Sequence, residues 1–147
     1  MEDTTATKTH HHHAEGEVDP VTGRLIKVPS VTTDAIVVKP KKDGSGHEIL
    51  LITRGNEPHK GSLAYPGGFV DYNEDPEQAC IRELEEECGI KGSNPIMIAV
   101  AGKPGRDPRT HIISIFYLVT VDPESEVKAG DDAATAQFYD LKDVYEN

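Results

Sequence analysis

One stretch of this chain can be little other than a helix, and the short β-branched runs on either side of it decide the rest. Asp75 offers a side-chain oxygen to free amides, Pro76 suits a first turn, and Gln78 stands where a capping box expects it. Gly89 ends the helix. Upstream, Val31–Val38 and Glu48–Thr53 are rich in β-branched residues and are separated by the turn-forming Lys39–Gly46, which predicts a strand pair. Leu63–Val70, interrupted by Pro66-Gly67-Gly68, reads as a third strand broken by a tight turn. Downstream, Ile96–Ala101, His111–Val121 and Ala134–Tyr139 are further strands, and Leu141–Asn147 begins a closing helix. Strands outnumber helices, so the pattern predicts an α/β fold, a sandwich with a mixed sheet and one dominant helix.

That helix carries an unusual charge. Between Glu74 and Glu87 there are seven acids and one base, Arg82. At about 100° per residue, Glu83, Glu86 and Glu87 share an arc of about 100°, while Cys80, Ile81, Leu84 and Cys88 fill the adjacent arc. Like charges at these spacings cost roughly 0.2–0.5 kcal/mol per pair in an isolated helix, unless a cation or Arg82 compensates. A hard divalent ion held by one or two carboxylates and substrate phosphates would do so; a solvated acidic face is the bland alternative.

The whole chain of 147 residues carries a net charge of −11, a field that repels polyanions and argues against nucleic acid as partner. Two cysteines make no disulfide framework, and no apolar run approaches a membrane span, so a cytoplasmic protein is expected. Cys80 and Cys88 lie about 12 Å apart along the helix, too far to bridge, and read as small buried hydrophobes. Residues 1–24, with the tract His10–His13, have no apolar block and read as a disordered tail; residues 25–147 form one domain.

The spacing of the acids settles what composition leaves open. Gly68, Glu74, Arg82-Glu83-Leu84, Glu86-Glu87 and Gly89-Ile90 reproduce the pattern G-x5-E-x7-R-E-U-x-E-E-x-G-U, with U aliphatic, without a departure. This is the Nudix box, and from about residue 31 to the end the chain resembles a Nudix hydrolase. The resemblance implies an α/β/α sandwich and metal-dependent hydrolysis of a nucleoside diphosphate linked to another moiety. By that resemblance Glu86 and Glu87 bind Mg2+ or Mn2+, Glu83 is a further ligand or the general base, and the Gly67 carbonyl can add a ligand. Arg82 and Glu74 are supporting residues, suited to orienting the glutamates or holding the loop to the helix. The ions would screen phosphate charge and activate water, while a carboxylate takes the proton.

The flanks speak to the substrate. The loop Gly102–His111 holds Lys103, Arg106 and Arg109, which suit a phosphate or, equally, a solvated turn. The Arg106-Asp107-Pro108-Arg109-x-His111 stretch, the Tyr65–Val70 approach to the box and Gly130–Ala134 resemble the ADP-ribose pyrophosphatase branch, which cuts ADP-ribose to AMP and ribose 5-phosphate. Candidate substrate contacts are Arg54, Arg106, Arg109, Phe69 and Asp132, with Tyr65 and Tyr117 as further candidates for stacking a base. Asp131 or Asp132 can alternatively serve as ligand or base. Two other readings stand: hydrolysis of modified nucleoside triphosphates or dinucleoside polyphosphates, and a Nudix-type sensor that binds without cutting. Relatives of the branch often dimerise, so a homodimer is an expectation.

Overall fold

A computed structural model describes residues 17–128 and 133–145. The elements run β1 (Glu17–Val18), β2 (Leu25–Ile26), β3 (Ser30–Ile36), β4 (Val38–Pro40), β5 (His47–Arg54), β6 (Leu63–Ala64), β7 (Gly67–Phe69), α1 (Pro76–Cys88), β8 (Gly92–Ala101), β9 (Ile112–Val121), β10 (Ala133–Asp140) and α2 (Leu141–Tyr145). One sheet has the order β7-β3-β9-β8 and is mixed, because β3 runs parallel to β9 while the other pairs are antiparallel. A second, antiparallel sheet has the order β10-β5-β4, with β6 also on β5. The α/β class, the mixed sheet and the single dominant helix are as the sequence predicts.

The predicted pairing of Val31–Val38 with Glu48–Thr53 is not what forms. β3 spends its hydrogen bonds on β7 and β9, and only its continuation β4 reaches β5, where Val38 meets Ile49 and Pro40 meets His47. The chain passes from one sheet to the other at Val37, whose carbonyl accepts from Leu50 N–H. Leu63–Val70 divides in the same way: β6 joins β5 and β7 joins β3, with the break at Tyr65-Pro66. A proline without an N–H falls where the strand must leave one ladder for the other. The glycines that follow then let β7 lie close against β3, since a Cβ on Gly67 would strike the Thr33 carbonyl.

The expected tail boundary at residue 24 falls inside a hairpin. β1 pairs with β2 across a turn in which Asp19 Oδ1 accepts from Val21 and Thr22 N–H. An aspartate opening a turn in this way satisfies backbone donors without a hydrophobic core. The His10–His13 tract lies outside the described residues.

The helix forms within its predicted limits. Asp75 caps it by accepting from Glu77 N–H, Pro76 occupies the first turn, and Gly89 closes it at φ 68° with its N–H on Glu85 O. Its apolar stripe joins the core: Cys80, Leu84 and Cys88 pack with Ala35, Val37, Leu50, Ile52, Tyr117 and Val119. Burial pushes both thiols up to about 12, which agrees with inert cysteines. No described helix is long and apolar enough to cross a membrane. At the sheet edge β8 leaves Ile96, Met97, Ile98 and Val100 each more than half exposed.

Candidate active site

The sheet switch at Tyr65-Pro66 sets β7 beside β3 and against α1, and a cavity of about 620 Å³ opens there. Its size is within the range of small-ligand sites. The helix contributes Glu83 and Glu87, β7 contributes Gly67 to Phe69, β3 contributes Thr32 and Asp34, and β9 contributes Ser114. Arg54 and the loop after it close one side; Arg106, Asp107 and Arg109 close another.

Glu83 and Glu87 are nearly enclosed, at 4% and 7% exposure. Glu87 Oε1 accepts from Gly67 N–H at 2.7 Å, and Glu83 Oε1 stands 3.4 Å from Arg82 Nη1. Gly68 faces the Glu83 carboxylate so closely that a Cβ would fall onto Oε2 and come within 2.6 Å of Cδ. The absent side chain leaves room for that carboxylate at the cavity wall. Glu86 is elsewhere: its side chain is half exposed, reaches Arg82 Nη1 at 3.2 Å and does not line the cavity. Within the acidic arc, Glu87 adjoins the apolar stripe and Glu86 lies at the opposite edge, so α1 turns the first inward and the second toward water.

Arg82 does not line the cavity either; it fastens the loop to the helix. Nε and Nη2 grip both oxygens of Glu74 at 2.7 and 2.9 Å, and Nη2 also donates to the Phe69 carbonyl. Glu74 in turn accepts from Asp71 N–H. The hydrogen bonds to Glu74 raise Arg82 above even its ordinary value, so its charge is permanent.

The basic residues divide their tasks. Arg54 Nε donates to Pro58 O and shapes the loop after β5. Arg106 Nη2 donates to Ser114 Oγ, which also shares a proton with Thr32 Oγ1 at 2.7 Å. Arg109 pairs with Asp107 through Nε and Nη2 and lays its guanidinium over the Phe69 ring, 5.4 Å from the centroid. All four predicted contacts that lie within the described residues, Arg54, Arg106, Arg109 and Phe69, therefore line one cavity. Asp131 and Asp132 lie outside the described residues. Tyr65 lines the cavity and bonds Tyr145 through its hydroxyl, whereas Tyr117 is buried in the core and not available for stacking. Its position on β9 alternates with Ser114 and Phe116, which puts it on the helix side of the sheet.

Asp34 is the cavity residue that sequence reasoning passed over. Burial pushes its carboxyl up to about 7, against the opposing pull of Arg106 and Arg54. The signal was present: an acid in the middle of a β-branched run is costly to bury unless it has a task.

The residues fit a hard divalent ion. Two enclosed carboxylates beside a main-chain turn supply oxygen donors of the kind Mg2+ and Mn2+ prefer, completed by water and substrate oxygens. Among the described residues no three His, Cys, Asp or Glu side chains converge to form a self-sufficient metal cage.

Known proteins resemble this chain in sequence and in fold. The family model described as NUDIX domain matches residues 29–147. An ADP-ribose pyrophosphatase of Methanocaldococcus jannaschii is 44% identical over 121 residues, 82% of this chain and 68% of that protein. A MutT/nudix family protein from Enterococcus faecalis superposes with TM-score 0.75 at 34% identity, over 80% of this chain and 46% of that one. A bifunctional NMN adenylyltransferase/ADP ribose pyrophosphatase from Francisella tularensis, complexed with AMP and a manganese ion, gives TM-score 0.64 at 31% identity. It is covered over 79% of this chain and 35% of its own length.

Proposed function

The chain belongs to the NUDIX family, and from that premise we propose that it is a pyrophosphatase cleaving ADP-ribose to AMP and ribose 5-phosphate with Mg2+ or Mn2+. The observation that carries the reading is the enclosed pair Glu83 and Glu87 on the wall of a cavity whose other walls hold Arg54, Arg106 and Arg109. Support for ADP-ribose comes from the archaeal relative, and support for a divalent ion from the manganese and AMP of the Francisella neighbour.

In this reading Glu83, Glu87 and the Gly67 carbonyl would hold the ion, with Glu86 as a further ligand from the cavity rim. The bound ion supplies charge neutralisation of the diphosphate and lowers the pKa of a water. Gly67 N–H fixes the Glu87 carboxylate, and Arg82 fixes Glu83, so neither has to reorganise as charge develops. A carboxylate, Glu83 or one of the late-loop acids Asp131 and Asp132, takes the proton. Arg106 and Arg54 bring positive charge to the phosphates, and Arg109, laid over the buried Phe69 ring, presents its guanidinium plane to the base. The homodimer is likewise a proposal, with the uncharged edge of β8 as its surface; sedimentation at twice the chain mass supports it and sedimentation at the chain mass overturns it.

The test is a substrate panel with product analysis: ADP-ribose, NADH, diadenosine polyphosphates and 8-oxo-dGTP. ADP-ribose is expected to give the highest kcat/KM, with AMP and ribose 5-phosphate as products and no turnover in excess EDTA. Preference for 8-oxo-dGTP overturns the substrate, and ADP-ribose binding without cleavage favours a sensor. A second result is expected of Gly68→Ala. The new methyl displaces the Glu83 carboxylate, and kcat falls by about 100-fold, the cost of misplacing a catalytic group by about an ångström. Retention of activity in this variant would mean that Glu83 does not need its observed position.

A further inference from the structure

Asp34 has no part in the chemistry above, yet it occupies the cavity. Side chains alternate along β3, so Asp34 shares a face with Thr32, whose hydroxyl is joined to Ser114 and through it to Arg106. In the β3–β7 ladder Asp34 stands directly opposite Gly67, which places its Cα about 5 Å from the glycine that anchors Glu87. In its charged form the Asp34 carboxyl repels phosphate oxygens and accepts from hydroxyls, so the partner that suits it on a bound substrate is an uncharged donor close to the diphosphate. In a nucleoside diphosphate derivative the donors nearest the anhydride are ribose hydroxyls; the amine of the base lies a sugar further away. Acids that bind ribose hydroxyls are a recurrent solution to this problem.

We propose that Asp34 is a specificity-determining residue that accepts hydrogen bonds from the hydroxyls of a ribose flanking the diphosphate, an inference that rests on the proposed function. It selects for a sugar next to the scissile linkage, while Arg54 and Arg106, whose charges act on Asp34, hold the phosphates beside it.

A cycle of substrates and variants tests this on the full chain. Wild type, Asp34→Asn and Asp34→Ala are assayed for kcat and KM with ADP-ribose and with two analogues, one lacking the vicinal hydroxyls of the terminal ribose and one lacking those of the adenosine ribose. Wild type is expected to lose about 10- to 100-fold in kcat/KM on one analogue, the range of a hydrogen bond to a charged group. Asp34→Ala should lose a similar factor on ADP-ribose and nothing further on that same analogue. The near-isosteric Asn variant should retain the wild-type melting temperature and, because it keeps one accepting oxygen but loses the charge, show a smaller loss of discrimination in the same direction, so the result does not depend on the alanine variant folding. Equal losses on all three substrates, or a wild type indifferent to both hydroxyl pairs, overturn the role of Asp34 alone. A wild type that leaves ADP-ribose intact overturns the proposed function and this inference with it.

Discussion

Glu87→Gln is expected to lower kcat for ADP-ribose hydrolysis by more than about 100-fold, the upper end of what losing a mere supporting partner of a metal site costs. The substitution is informative because of what it keeps. A glutamine oxygen can still accept from Gly67 N–H at the position where Glu87 Oε1 does so at 2.7 Å, so the β7 turn and the buried volume are preserved. Only the negative charge goes, and with it the attraction for a divalent ion. The melting temperature should therefore stay within about 4 °C of wild type, equivalent to no more than about 1 kcal/mol for a chain of this size. A variant that folds and retains activity within tenfold would remove Glu87 from the catalytic machinery.

Arg82→Ala is expected to act through stability first. Its guanidinium serves Glu74, the Phe69 carbonyl, Glu83 and Glu86 together, from a side chain only 24% exposed. Removing it leaves the enclosed Glu83 without its positive neighbour and frees the loop between β7 and α1. Breaking a buried ion pair by deleting one partner costs about 3–5 kcal/mol, and partial exposure argues for the lower figure. At about 2–4 °C per kcal/mol, thermal denaturation should show a fall of about 6–12 °C. Arg82→Lys should recover little of it, because an ammonium cannot span both oxygens of Glu74 and reach the Phe69 carbonyl at once. Full recovery by lysine would show that charge alone matters there, and that the fork observed at Glu74 does not.

These two residues were legible from the sequence, because everything that defines them is local. A cap, a proline, an acid ridge and a glycine stop fall within fifteen residues, and helical geometry relates them without knowledge of the rest of the chain. Glu86 shows the limit of that reasoning: an arc of about 100° is wide enough to have one edge in the cavity and the other in water, and only the packing of α1 decides which. The pairing of β3 with β9 joins segments about eighty residues apart, and no nearest-neighbour reading of turns reaches that far. The same long reach hid Asp34, whose significance depends on Gly67 in the next strand and on Arg54 and Arg106 from two distant loops. Arg54, Arg106 and Arg109 were identifiable as candidates by charge, but their convergence on one cavity is a property of the fold.

The central claim is that Glu83 and Glu87 hold a divalent ion where the diphosphate is cut. Calorimetric titration of Mn2+ into the folded wild-type chain and into Glu87→Gln tests it most directly. Saturable binding to wild type, weakened at least about tenfold in the variant, is the expected result. Absence of binding to the folded wild type, or equal affinity in both proteins, would contradict it.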